Sequence, residues 1–118
     1  MRFLSMVRIN EKSGLKPDER LMADIGKLCK ELRDAGVLLD TAGLLPTSEG
    51  VRVRQDRGRL SVVDGPFTEG KEVVGGYAIL EAQSKQEAVE LAKRFVKTHG
   101  DAWTVECEVR QLMEPVQS

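Results

Sequence analysis

The stretch from Asp64 to Tyr77 gathers three carboxylates (Asp64, Glu69, Glu72), the amine of Lys71 and the phenol of Tyr77 around Pro66 and four glycines. Carboxylates held close together, or partly out of water, have raised pKa values and become usable general acids or bases near neutral pH. Asp64 follows an alternating apolar run and so ends a predicted strand, which makes it the candidate catalytic group. Lys71 and Arg8 are candidates to bind an anionic group of a ligand. Tyr77 is a candidate hydrogen-bond donor from the next strand, and Phe67 a candidate apolar anchor. The same residues also have a purely structural account. Asp64 can accept hydrogen bonds from the amides that follow it, Gly65 is held away from the helical region by the proline, and Pro66 fixes its own backbone. On the residues alone, Asp64 stands equally between the two accounts, whereas Glu69 and Glu72 are better read as solvated or paired at the surface.

The elements that must position this stretch follow from hydrophobic periodicity. Residues 2–9 are mostly apolar on both faces, which predicts a central strand with Arg8 near its end, able to meet an acidic group across the sheet. Pro17 suits a first helical turn, with Asp18 and Glu19 favourable against the helix dipole. Leu21, Ile25, Leu28 and Leu32 then mark one apolar face, and Gly36 ends that helix. Val37–Thr41 is a second strand and Thr47–Gly50 a turn. Val51, Val53, Leu60 and Val62 alternate with polar residues on either side of Gln55–Gly58, which predicts a hairpin whose arginines face solvent. Tyr77–Ala82 is a further strand, with Gly75-Gly76 marking a bulge at its start. Ser84 and Glu87 form a capping box ahead of a helix that carries Ala88, Leu91, Ala92, Phe95 and Val96 on one side. Trp103, Val105, Cys107 and Val109 alternate in a last strand.

This order of strand, helix, strand, hairpin, strand, helix, strand predicts an α+β domain. It is a ferredoxin-like split β-α-β repeat with an inserted β-hairpin, its antiparallel sheet covered by two helices. The expected domain spans 1–114, with 115–118 a loose tail. The helices cover one sheet face, and the other carries enough apolar residues to require a cover. A homodimer packed through its sheets supplies one.

The 118 residues, 41% hydrophobic and 31% charged, describe one globular domain. A formal net charge of −1 offers no basic excess for nucleic acid. No apolar run is long enough for a bilayer, and the N-terminal patch is too brief for a signal peptide, so a cytoplasmic protein is expected, with no membrane partner. Cys29 and Cys107 lie far apart on apolar faces and read as free thiols. One histidine and two separated cysteines make no metal site, Gly75-Gly76 is not a phosphate loop, and no cofactor is expected.

Asp64-Gly65-Pro66-Phe67-Thr68-Glu69-Gly70-Lys71-Glu72, followed by Gly75-Gly76-Tyr77, resembles the signature of the YciI-related, DGPF-domain family. The resemblance extends to the opening Met1–Val7, to the helix exit Gly36–Leu39 and to Glu106–Gln111, nearly the whole chain. It implies a small bacterial protein of the dimeric α/β-barrel type whose biochemical function is mostly unassigned. It also implies a link to regulation, since family members are often encoded beside extracytoplasmic-function sigma factors. Gly70 departs from the family's usual threonine or serine. The wider superfamily is thought to use a His–Asp pair, but the only histidine here, His99, comes at the end of the second helix and is read as a cap or surface residue.

Two functions follow as expectations. One is a small-molecule-binding protein or enzyme with acid/base chemistry centred on Asp64, in a cleft near the dimer interface. The other is a non-catalytic regulatory or interaction module associated with sigma-factor-linked control.

Overall fold

The computed structural model describes residues 1–67 and 72–114. Glu69, Gly70 and Lys71, and the segment 115–118 expected to form a tail, lie outside the described residues. The elements run β1 (Arg2–Ile9), α1 (Glu19–Asp34), β2 (Leu38–Gly43), β3 (Val51–Asp56), β4 (Arg59–Asp64), β5 (Val73–Glu81), α2 (Lys85–Thr98) and β6 (Glu106–Gln111). Short 3-10 turns lie at Glu11–Ser13 and Thr47–Glu49. One antiparallel sheet has the order β2-β5-β1-β6, and β3 and β4 form a separate two-stranded sheet among the described residues. With the hairpin set aside, this is the ferredoxin-like order expected of a repeated split β-α-β unit.

Alternation along β1 decides the layers. Phe3 and Ser5 are buried, while Leu4, Met6 and Arg8, pointing the other way, are half-buried. Phe3 packs with Ala82 and Ala88, and Ala78 and Leu80 of β5 pack with Leu28, Leu32 and Phe95 of the two helices. The core therefore lies between the sheet and both helices. The opposite sheet face carries Leu4, Met6 and Ile79, half-buried, with charged residues beside them.

Local chemistry sets the element ends. Asp18 is the N-cap of α1 and accepts a hydrogen bond from the Leu21 amide at 2.8 Å. Pro17 therefore precedes the cap instead of entering the first turn, because the aspartate side chain can satisfy an orphan amide that proline cannot. Ser84 caps α2 by accepting from the Glu87 amide at 3.1 Å, while the Glu87 carboxylate takes the amide of Gln83 at 3.4 Å, one residue earlier than a capping box prescribes. Arg57 and Gly58, with φ of 49° and 83°, form the tight turn between β3 and β4.

Two strand boundaries differ from expectation. β5 begins at Val73, because the Gly75-Gly76 bulge against Val7 and Arg8 lets the ladder continue instead of ending it. β6 begins only at Glu106, opposite Arg8 near the end of β1. Trp103 and Val105 thus fall outside the strand, and Trp103 packs on the end of α2.

Candidate functional site

The Asp-Gly-Pro-Phe turn is built against the 3-10 turn at Thr47–Glu49. The Gly65 amide donates to the Gly50 carbonyl at 2.9 Å, and the Phe67 amide reaches the Thr47 hydroxyl at 3.4 Å. A β-carbon on Gly65 would run into the Thr47 carbonyl, so glycine is required by close approach. Thr47 is itself held from across the chain. Its amide and its hydroxyl donate to the two carboxylate oxygens of Glu11, at 2.7 and 2.6 Å. These bonds hold the Glu11 carboxyl below its ordinary value, the hydroxyl acting most strongly. Phe67 is half-buried under the Arg52 guanidinium, which sits 3.8 Å from the ring centroid.

Asp64 ends β4 opposite Val51, and its side chain is exposed. By alternation it shares a hairpin face with Val53, Leu60 and Val62, which are 70%, 73% and 67% exposed. Glu69 and Lys71 lie outside the described residues. Arg8 sits on the open sheet face between two carboxylates, Glu72 at 3.6 Å and Glu108 at 3.4 Å, which is the cross-sheet pairing expected of it. Tyr77 donates its hydroxyl to Asp40 at 3.2 Å, and the Asp40 charge raises the phenol above its ordinary value. The four described candidates are thus not brought to one point. Asp64 and Phe67 belong to the hairpin root, and Arg8 and Tyr77 to the sheet.

A concave site lies elsewhere, on the helix side. A cleft of about 250 Å³ opens between α1 and the sheet at the end of the core. Val7, Ile9, Met22 and Ile25 give it apolar walls, Gly75 and Gly76 leave its floor bare of side chains, and Tyr77 borders it. His99 and Trp103 close one end, with their rings edge-to-face at 5.8 Å between centroids. His99 Nδ1 lies 2.8 Å from the Phe95 carbonyl oxygen, so the residue does cap α2 as expected, yet it is half-buried and faces a cavity instead of lying on the surface. The hydroxyls of Ser5 and Thr41 also line the cleft.

Burial pushes the thiols of Cys29 and Cys107 above their ordinary value, and a hydrogen bond with Ser5 offsets part of this for Cys107. Both are free, as expected, and neither is activated as a nucleophile. Among the described residues, no three histidine, cysteine or acidic side chains converge as metal ligands. No helix is long and apolar enough to cross a membrane among the described residues.

Sequence reasoning missed the cleft because its walls come from β1, α1, β2, β5 and the loop after α2. The one available signal was an aromatic residue placed soon after a helix-ending histidine, with Gly100 between them.

A family model described as the YCII-related domain matches residues 1–109. An uncharacterized protein of Rhizobium meliloti (strain 1021) is 31% identical over 98 residues, covering 83% of this chain and 79% of that protein. The signature turn, the ferredoxin-like order and these matches agree, and the chain belongs to the YCII-related domain family.

Proposed function

We propose that this chain is a small-molecule-binding protein that works as a homodimer. The observation that carries the reading is the helix-side cleft, an apolar concavity with few polar groups, which is the usual form of a small-ligand site. The open sheet face supports the dimer, since Leu4, Met6 and Ile79 lie in a strip bordered by Arg8, Glu108 and Tyr77. A second copy also bears on acid/base chemistry at Asp64. In a single chain this carboxylate is exposed, so a general acid or base there requires another surface to remove water from it. The hairpin face it shares with Val53 and Val62 is a suitable place for such a cover. The test is a titration of apolar aromatic probes against the full chain, with light scattering on the same sample. Saturable binding by a dimer supports the reading, and a monomer that binds none of the probes refutes it.

A second reading, an interaction or regulatory module, is favoured by one observation. The β3–β4 hairpin leaves Val53, Leu60 and Val62 more exposed than a stable surface requires. On this reading Val53→Lys with Val62→Lys disrupts association, while Asp64→Asn leaves it intact.

A further inference from the structure

The class of ligand can be narrowed, on the premise that the helix-side cleft is the binding site. The polar groups at the cleft are few, and most are already engaged. The Thr41 hydroxyl donates to the Tyr77 carbonyl at 2.8 Å, and Ser5 bonds Cys107. His99 is the exception. A carbonyl oxygen can only accept, so the bond between Nδ1 and the Phe95 carbonyl places the proton on Nδ1, an assignment made from the hydrogen-bond network. In the neutral ring Nε2 is then a lone-pair acceptor, and among the described residues nothing donates to it. The Phe95 carbonyl and the Trp103 ring hold the imidazole from two sides, so this acceptor is preorganised.

Charge and size limit the ligand further. Among the described residues, His99 is the one whose titratable side chain faces the cleft, since the Tyr77 phenol lies on the other sheet face with Asp40, so an anion would leave water without a carboxylate-pairing lysine or arginine from these residues. A dry apolar cavity of about 150 Å³ accepts benzene. The cleft here, at about 250 Å³, has room for a substituted ring or a fused pair. We infer that the cleft takes a neutral, largely apolar aromatic molecule carrying one hydrogen-bond donor, such as a phenolic hydroxyl, which His99 Nε2 receives beside Trp103.

Trp103 is the single tryptophan of the chain, so intrinsic fluorescence reports directly on this cleft. The full chain is titrated with 4-propylphenol and, separately, with propylbenzene, which matches it in shape and lacks the hydroxyl. Both should give saturable changes, with the phenol bound about tenfold more tightly through the one added hydrogen bond. His99→Phe keeps a ring against Trp103 and removes the acceptor. It should abolish the preference for the phenol, bringing the ratio of the two affinities to about one, and a tenfold preference that survives in this variant overturns the assignment to His99. Equal affinities of the two probes for the unaltered protein overturn the inference without recourse to any variant, and they leave the cleft standing as a binding site. Absence of saturable binding by either probe overturns both the inference and the reading of the cleft on which it rests.

Discussion

The carbonyl oxygen of Thr47 occupies the space into which a side chain on Gly65 would project. The Gly-Pro step of the signature turn is thus explained by packing, since the chain can pass the 3-10 turn this closely only without a β-carbon. Gly65→Ala should destabilise the fold by about 1–3 kcal/mol through this overpacking, read as a lowered urea midpoint. Phe67→Ala should cost less through its ring contact with Arg52, about 0.5–1 kcal/mol for an exposed cation–π pair. An unchanged midpoint for Gly65→Ala would mean that the two turns are not in contact.

Glu11 ties the loop after β1 to Thr47, and the tie depends on pH. The folded carboxyl lies below its ordinary value of 4.5, so folding favours the ionised form. Its contribution is complete above the unfolded value and is lost as pH falls through the lower, folded one. Stability measured for the protein and for Glu11→Gln should therefore differ most near neutrality. The gap should close as pH drops below about 4. A gap that widens in acid reverses the sign and refutes the tie.

Tyr77 is the single tyrosine, so an ultraviolet titration reads it alone. The negative charge of Asp40 is the largest cause of its raised pKa. Asp40→Asn should bring the midpoint down towards the ordinary value of about 10. A midpoint that does not move would locate the cause elsewhere.

Met6 and Ile79 lie on the open sheet face, where the proposed second copy would cover them. Met6→Glu with Ile79→Glu should convert a dimer to a monomer in light scattering, because two unpaired charges would be buried at the interface. Asp64 provides a linked readout. If the partner covers the hairpin face, carbodiimide should modify Asp64 slowly in the dimer and faster in the monomeric variant. Equal rates would end the case for acid/base chemistry at this carboxylate.

Gly75 approaches Ile9 so closely that a β-carbon there would lie 2.7 Å from its Cδ1. Gly75→Ala should displace the Ile9 side chain, which walls the cleft, and weaken probe binding several-fold with little change in secondary structure by circular dichroism. Undiminished binding would show that this part of the floor does not shape the site.

The residues by themselves determined the order of elements, the ferredoxin-like class and the family. These rest on local signals: the spacing of Leu21, Ile25, Leu28 and Leu32, the cap Ser84, and the alternation through the hairpin. Arg8 was also legible as a strand-end cation seeking a carboxylate. Only the tertiary structure decided what those elements enclose. Asp64 was prominent because ionisable groups crowd it along the chain, yet crowding along a chain does not make a cavity, and the hairpin carries it into solvent. His99 and Trp103 were unremarkable along the chain. They became the end wall of a cleft because β6 starts late, leaving the loop after α2 to fold back beside the sheet. A cavity is a property of surfaces that meet from distant segments, and no local pattern encodes where they will fail to fill the space between them.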